Sequence, residues 1–73
     1  MTEITKQFGT AVRAARASLG WSQERLAQEA GLDRTYISGV ERGRRNPSLL
    51  TQQRIATALR VTLAQLLSDA GNH

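Results

Sequence analysis

The side chains best equipped for directional polar contact fall in one stretch: Arg34, Thr35, Tyr36, Ser38, Glu41 and Arg42, followed by Arg44, Arg45 and Asn46. Their types suit a polyanion with readable edges. A guanidinium fork matches phosphate oxygens or guanine O6 and N7 bidentately; Ser and Thr hydroxyls bond to phosphates or base edges, and a Thr methyl packs on a thymine methyl. The same inventory serves catalysis poorly, with no Cys, one His at the very end, and no carboxylate pair expected to converge in a pocket. A metal site lacks ligands too, because His73 has no Cys or second His to join it. The expectation is a binding module that is not an enzyme and takes no metal, cofactor or small-molecule substrate.

Composition points the same way. Ten Lys and Arg against six Asp and Glu give a formal charge of +4 and a calculated pI near 11.2, which favours a polyanionic partner. Nine of the ten cations are Arg, the better fork for phosphate and guanine. A chain of 73 residues has room for one domain and one apolar core, so residues 1–73 are read as a single unit. No apolar run approaches the roughly 20 residues that span a bilayer, and Met1-Thr2-Glu3-Ile4 does not start like a signal peptide. The absence of Cys fits a reducing compartment. Together these give a cytoplasmic protein with no membrane partner as the expectation.

The elements that must position the polar residues are helices. Ala, Leu, Gln, Arg and Glu dominate and the alternation expected of strands is absent. The first helix is placed at about residues 5–19, where Phe8, Val12, Ala15 and Leu19 make one face, with Gly20 as a left-handed end. Ser22 is an N-cap for the second, with Trp21 able to staple onto Leu26, and Gly31 stops it. Asp33 caps the third, which runs to about Arg42 ahead of Gly43. Ser48 after Pro47 opens a fourth helix to about Leu59, and Thr62-Leu63-Ala64-Gln65 is a capping box opening a fifth. The tail from Ala70 to His73 is expected to fray.

The second and third helices, about residues 23–42, carry the spacing of a helix-turn-helix. Ala27 allows close approach, Gly31 supplies the turn, and Leu26, Ala30, Ile37 and Val40 bury the shared face. A plain helical hairpin would use the same residues. In a helix-turn-helix the amino-terminal part of the second helix enters the major groove, which makes Arg34 and Thr35 base-reading candidates, with Ser38 one turn further along. Arg34 can instead be a solvated charge, although a cation at a helix amino terminus opposes the macrodipole. Gln23, at the start of the preceding helix, is placed to grip a phosphate or is a simple surface residue. Tyr36 can donate to a phosphate or pack on the core. Arg44, Arg45 and Asn46 form a polar turn suited to clasping a strand beside the groove.

The run Trp21-Ser22-Gln23-Glu24-Arg25-Leu26-Ala27-Gln28-Glu29-Ala30-Gly31, followed by Leu32-Asp33-Arg34-Thr35-Tyr36-Ile37-Ser38-Gly39-Val40-Glu41-Arg42-Gly43, resembles the Cro/repressor-type (XRE-like) helix-turn-helix family. The likeness covers nearly the whole chain. Residues 33–42, with Arg45, Asn46 and Ser48, most resemble the controller proteins of restriction–modification systems. The resemblance implies an all-α, compact five-helix, lambda-repressor-like domain. It further implies a homodimer on pseudo-palindromic operators that activates and then represses its own gene and that of the endonuclease. Carried over, base reading falls on Arg34 and Thr35, and phosphate contact on Gln23, Tyr36, Ser38, Arg42, Arg45 and Asn46. Arg44 receives no role. The dimer surface falls on the fourth and fifth helices.

Dimerisation also has a local argument, since one recognition helix reads one half-site. Leu49, Leu50, Leu63, Leu66 and Leu67 are more large apolar residues than two short helices need, so they are either a self-pairing patch or additional core. Activation would require a surface for RNA polymerase, for which Glu24 and Glu29 are candidates or else ordinary surface charges. The rival functional reading is a DNA-binding antitoxin or phage-type repressor with the same fold; an antitoxin usually needs extra sequence to cover its toxin, and length favours the controller.

Overall fold

The structure, a computed structural model, describes residues 3–71. It contains five helices, α1 (Glu3–Ser18), α2 (Gln23–Ala30), α3 (Arg34–Glu41), α4 (Leu49–Ala58) and α5 (Leu63–Gly71), and no strand among the described residues. The all-α expectation and the pairing of the second and third helices are therefore met.

The helix boundaries follow from local chemistry. Ser22 accepts the Arg25 N–H, Asp33 that of Thr35 and Ser48 that of Thr51, so α2, α3 and α4 each have an orphan amide satisfied. At the fifth helix only half of the capping box forms: the Thr62 hydroxyl accepts the Gln65 N–H at 3.0 Å, while the Gln65 amide donates forward to Asp69. Gly31 ends α2 with φ 68° and Gly43 leaves α3 with φ 73°, a conformation that penalises any side chain with a Cβ.

Two boundary expectations shift. The first helix starts at Glu3 and ends at Ser18, which leaves Leu19 in the turn and 36% exposed; the core stripe stops at Ala15 because the chain has already left the helix. The carboxyl-terminal segment is ordered further than its polarity suggested, since Ala70 is completely buried and anchors the last turn of α5. Met1, Thr2, Asn72 and His73 lie outside the described residues.

The core is one cluster in which Val12, Leu26, Ile37, Val40, Ile55 and Leu66 are the large side chains removed from water. Each of the five helices contributes to it, and α1 forms the spine, packing on α3 and α5 while α2 packs on α3 and α4. The crossing of α1 on α3 is close. A Cβ built on Gly9 would stand 2.2 Å from the Val40 carbonyl oxygen and 2.8 Å from that of Glu41, so α1 reaches α3 only because this position has no side chain. Ala27, 4% exposed, lies in the core cluster.

Gly9→Ala brings a helix-propensity gain of about 0.5–1 kcal/mol, but the clash is with backbone that cannot rotate away, and overpacking costs about 1–3 kcal/mol. Both Gly9→Ala and Ala27→Leu should lower the melting temperature, by about 4–8 °C per kcal/mol lost. Calorimetry showing either variant as stable as the parent would contradict this packing.

Candidate nucleic-acid interface

The amino terminus of α3 presents Arg34 and Thr35 to solvent. The Asp33 carboxylate accepts the Thr35 N–H at 2.8 Å and also the Thr35 hydroxyl, which fixes the first turn of the helix and the Thr35 rotamer. Those two bonds, the hydroxyl first, hold the Asp33 carboxyl below its usual range. Arg34 makes no ion pair among the described residues, so its guanidinium is available outward.

Tyr36, the next residue, and Ser38, one turn on, are half-buried. The Tyr36 ring packs against the core and carries the Arg45 guanidinium 5.5 Å from its centroid. The Arg45 stem crosses Gly39, where an added Cβ would lie 2.9 Å from Arg45 Cγ. Arg45 is thus laid along α3 by a missing side chain and an aromatic face, a contact that its position in a polar turn did not foretell. Arg42, Arg44 and Asn46 are exposed. The turn carrying them is held by Gly43 N–H to Val40 C=O at 3.0 Å, Arg44 N–H to Gly39 C=O at 2.8 Å, and the Gln52 amide to Pro47 C=O at 3.0 Å.

Glu41 is a correction. The sequence placed it with the outward residues of the third helix, but its carboxylate is fully buried. Arg16 of α1 grips it in a bidentate fork, Nε to Oε2 at 2.7 Å and Nη2 to Oε1 at 2.9 Å, and uses its remaining nitrogen on the Trp21 carbonyl at 2.7 Å. The Gln23 amide donates to Oε1 at 3.1 Å, and Arg13 adds a looser contact at 3.6 Å. Burial would raise this carboxyl, but the bonds from Arg16 and Gln23 and the charges of Arg16 and Arg13 outweigh it and hold it below its ordinary value. The Arg16 guanidinium is held more basic by the Glu41 bond, against its own burial. Gln23, assigned to a phosphate, therefore spends one N–H inside the protein and keeps its second for a ligand.

The leucine assignments divide. Leu49 is 69% exposed, Leu50 72% and Leu67 40%, whereas Leu66 is 1% exposed and belongs to the core; Leu63 is half-buried against it. Leu66 is withdrawn from the candidate dimer surface because α5 turns that face toward α1 and α4. Ile4, 55% exposed, joins the remaining apolar patch and with Phe8, Pro47 and Leu67 lines a cavity of about 120 Å³. Spacing hid Ile4, because it continues the Phe8–Val12 stripe and reads as core. Glu24 is exposed. Glu29 is also exposed but pairs with Arg25 at 3.1 Å. Trp21, read as a staple, also carries the Arg25 and Arg60 guanidinium groups at 4.6 and 5.7 Å from its ring centroid.

The helix-turn-helix family model matches residues 12–66. The control protein C.MunI of a Mycoplasma species is 40% identical over 70 residues, 94% of this chain and 95% of that protein. A hypothetical transcription factor of Neisseria meningitidis serogroup B is 52% identical over 56 residues, 77% of this chain but 53% of that protein, so the chain spans about half its length. Among solved structures, the restriction–modification controller protein C.Esp1396I, crystallised as a tetramer in complex with its natural 35-base-pair operator, superposes with a TM-score of 0.85 and 30% identity over 96% of this chain and 97% of that one.

The Glu41 cluster makes acid stability measurable. A carboxyl held below its ordinary value of 4.5 contributes stability that is complete above that value and is lost as pH falls through the lowered one. Denaturant titrations from about pH 7 to about pH 3 should therefore show the gap between parent and Glu41→Gln closing toward the acid end. Arg16→Met, which strands the buried carboxylate, should cost about 3–5 kcal/mol, and Arg16→Met with Glu41→Leu should recover most of it. A neutral Arg16→Met would show that the cluster does not hold the helices.

Proposed function

This chain belongs to the helix-turn-helix family, and we propose that it is a sequence-specific double-stranded DNA-binding regulator of transcription and the controller protein of a restriction–modification system. The carrying observation is the exposed pair Arg34 and Thr35 on the first turn of a rigidly capped helix, the part that enters the major groove in this motif. Arg34 reads a guanine edge and Thr35 a neighbouring base. Gln23, Tyr36, Ser38, Arg42, Arg45 and Asn46 fix the register on phosphates. Arg45 supports this reading best, because its stem is already laid against α3 and loses less freedom on binding.

The protein acts as a homodimer on pseudo-palindromic operators, with Leu49, Leu50 and Leu67 at the two-fold contact and Leu63 at its margin. Their exposure on a domain this small supports a covered surface. At low occupancy it activates its own gene and that of the endonuclease, with Glu24 the favoured polymerase contact since Glu29 is partly neutralised; at higher occupancy it represses them. The relative crystallised as a tetramer on its operator supports the two-stage scheme. No chemical step is part of this function; the protein is a cytoplasmic binding module without a cofactor.

Selection of bound sequences from random duplexes, with the native mass of the complex, tests the proposal. A two-fold-related motif held by a dimer is expected. Binding without an enriched motif, or a stoichiometric protein partner recovered in place of DNA, would overturn it in favour of an antitoxin-like role. On the selected operator, Arg34→Ala should cost about 1–3 kcal/mol and relax one position per half-site, whereas Arg45→Ala should weaken all sequences alike. Equal losses on operator and random DNA for both variants would remove Arg34 from base reading.

A further inference from the structure

The third helix leaves through Gly43, and the backbone of that turn rests on α1. The Thr5 hydroxyl donates to the Gly43 carbonyl at 3.5 Å. A Cβ at Gly43 would lie 2.7 Å from Lys6 Cγ and 2.9 Å from Lys6 Cα, so the stem of Lys6 lies along the turn in the space that glycine leaves. Lys6 is exposed, and the residues flanking Gly43 are Arg42 and Arg44, with Arg45 beyond.

None of these four cations makes an ion pair among the described residues. For the three arginines the carboxylate nearest in sequence, Glu41, is buried and already committed to Arg16, Gln23 and Arg13; for Lys6 it is Glu3, one turn earlier on α1, and the two form no ion pair among the described residues. Like charges gathered without a counter-charge repel one another, and a polyanion lying across them relieves that repulsion while releasing its own counterions. Lys6 is also the chain's single lysine; its ammonium is a compact point charge on a flexible stem, suited to a phosphate and not to a base edge.

We propose that Lys6 is a phosphate ligand for duplex DNA, extending the backbone-contacting surface from the α3–α4 turn onto α1, outside the helix-turn-helix. The inference rests on the DNA-binding reading above. Lys6 adds affinity without sequence preference and clamps the strand flanking the half-site, with Gly43 as the seat that brings α1 close enough.

The test is the salt dependence of binding to the selected operator and to a random duplex of equal length, for the parent, Lys6→Gln, Lys6→Arg and Arg54→Gln. Gln keeps most of the stem on Gly43 and removes the charge. Arg54, whose guanidinium is bonded to the Gly31 carbonyl in the α2–α3 turn and to which no phosphate is assigned, controls for net charge. Lys6→Gln should reduce the slope of log K against log salt by about 0.9 per bound protomer, and so by about 1.8 for a dimer, on both duplexes; Lys6→Arg should restore the parental slope, and Arg54→Gln should leave it unchanged. An unchanged slope in Lys6→Gln, or an equal change in Arg54→Gln, overturns the assignment. Failure of the parent to bind any duplex would overturn the DNA-binding reading itself, and is seen before any variant is compared.

Discussion

The Arg16–Glu41 fork is the contact on which the rest of the arrangement depends. It joins the last turn of α1 to the last turn of α3, and through the third nitrogen of Arg16 and the amide of Gln23 it also holds the α1–α2 turn and the start of α2. A buried ion pair is seldom a net source of stability compared with apolar packing, because desolvation consumes most of the attraction. What it supplies here is a fixed relation between three elements: it is satisfied only when the two helices of the motif and the helix behind them adopt one geometry. The small residues Gly9 and Ala27 make that geometry reachable, and the fork selects it from neighbouring packings.

On that frame the outward surface is built with little slack. Gly39 and Tyr36 give Arg45 a track, Gly43 gives Lys6 a seat, and Asp33 locks the first turn of α3. The long cationic side chains would otherwise be free in solution, and ordering each rotamer-rich chain on binding costs about 0.5–1.5 kcal/mol. Laying part of their length on the protein beforehand reduces that cost. The exposed apolar residues Leu49, Leu50, Leu67 and Ile4 are of another kind: they stand at the start of α4 and along α5 and α1, and Ile4 and Leu67 meet at one cavity.

Most of the fold was legible because its signals are local. Ser22, Asp33 and Ser48 as caps, Gly20, Gly31 and Gly43 as left-handed ends, and the buried set Leu26, Ala30, Ile37 and Val40 all depend on neighbours a few residues away. The misses are long-range. Glu41 looked like a surface residue because its partner is 25 positions distant, and no periodicity announces a buried carboxylate. Nothing in the residues around Gly9 marks it as a contact; it is the close approach of the α3 backbone that requires a glycine there. Leu66 and Leu67 differ by one position, and only the direction in which α5 packs separates core from surface.

The cap on α3 has a consequence for how bases can be told apart. The hydroxyl hydrogen of Thr35 is engaged by Asp33, so what Thr35 turns outward is an oxygen with lone pairs and a methyl group, an acceptor and an apolar knob with no donor. In the major groove the exocyclic amines of adenine and cytosine are donors and thymine offers a methyl, whereas guanine shows acceptors alone. On the proposed DNA-binding reading, a threonine held this way would discriminate against guanine, while Arg34, all donor, would select for it. Two adjacent side chains thus carry opposite polarity, and the capping carboxylate that starts the helix is also what makes the second of them one-sided.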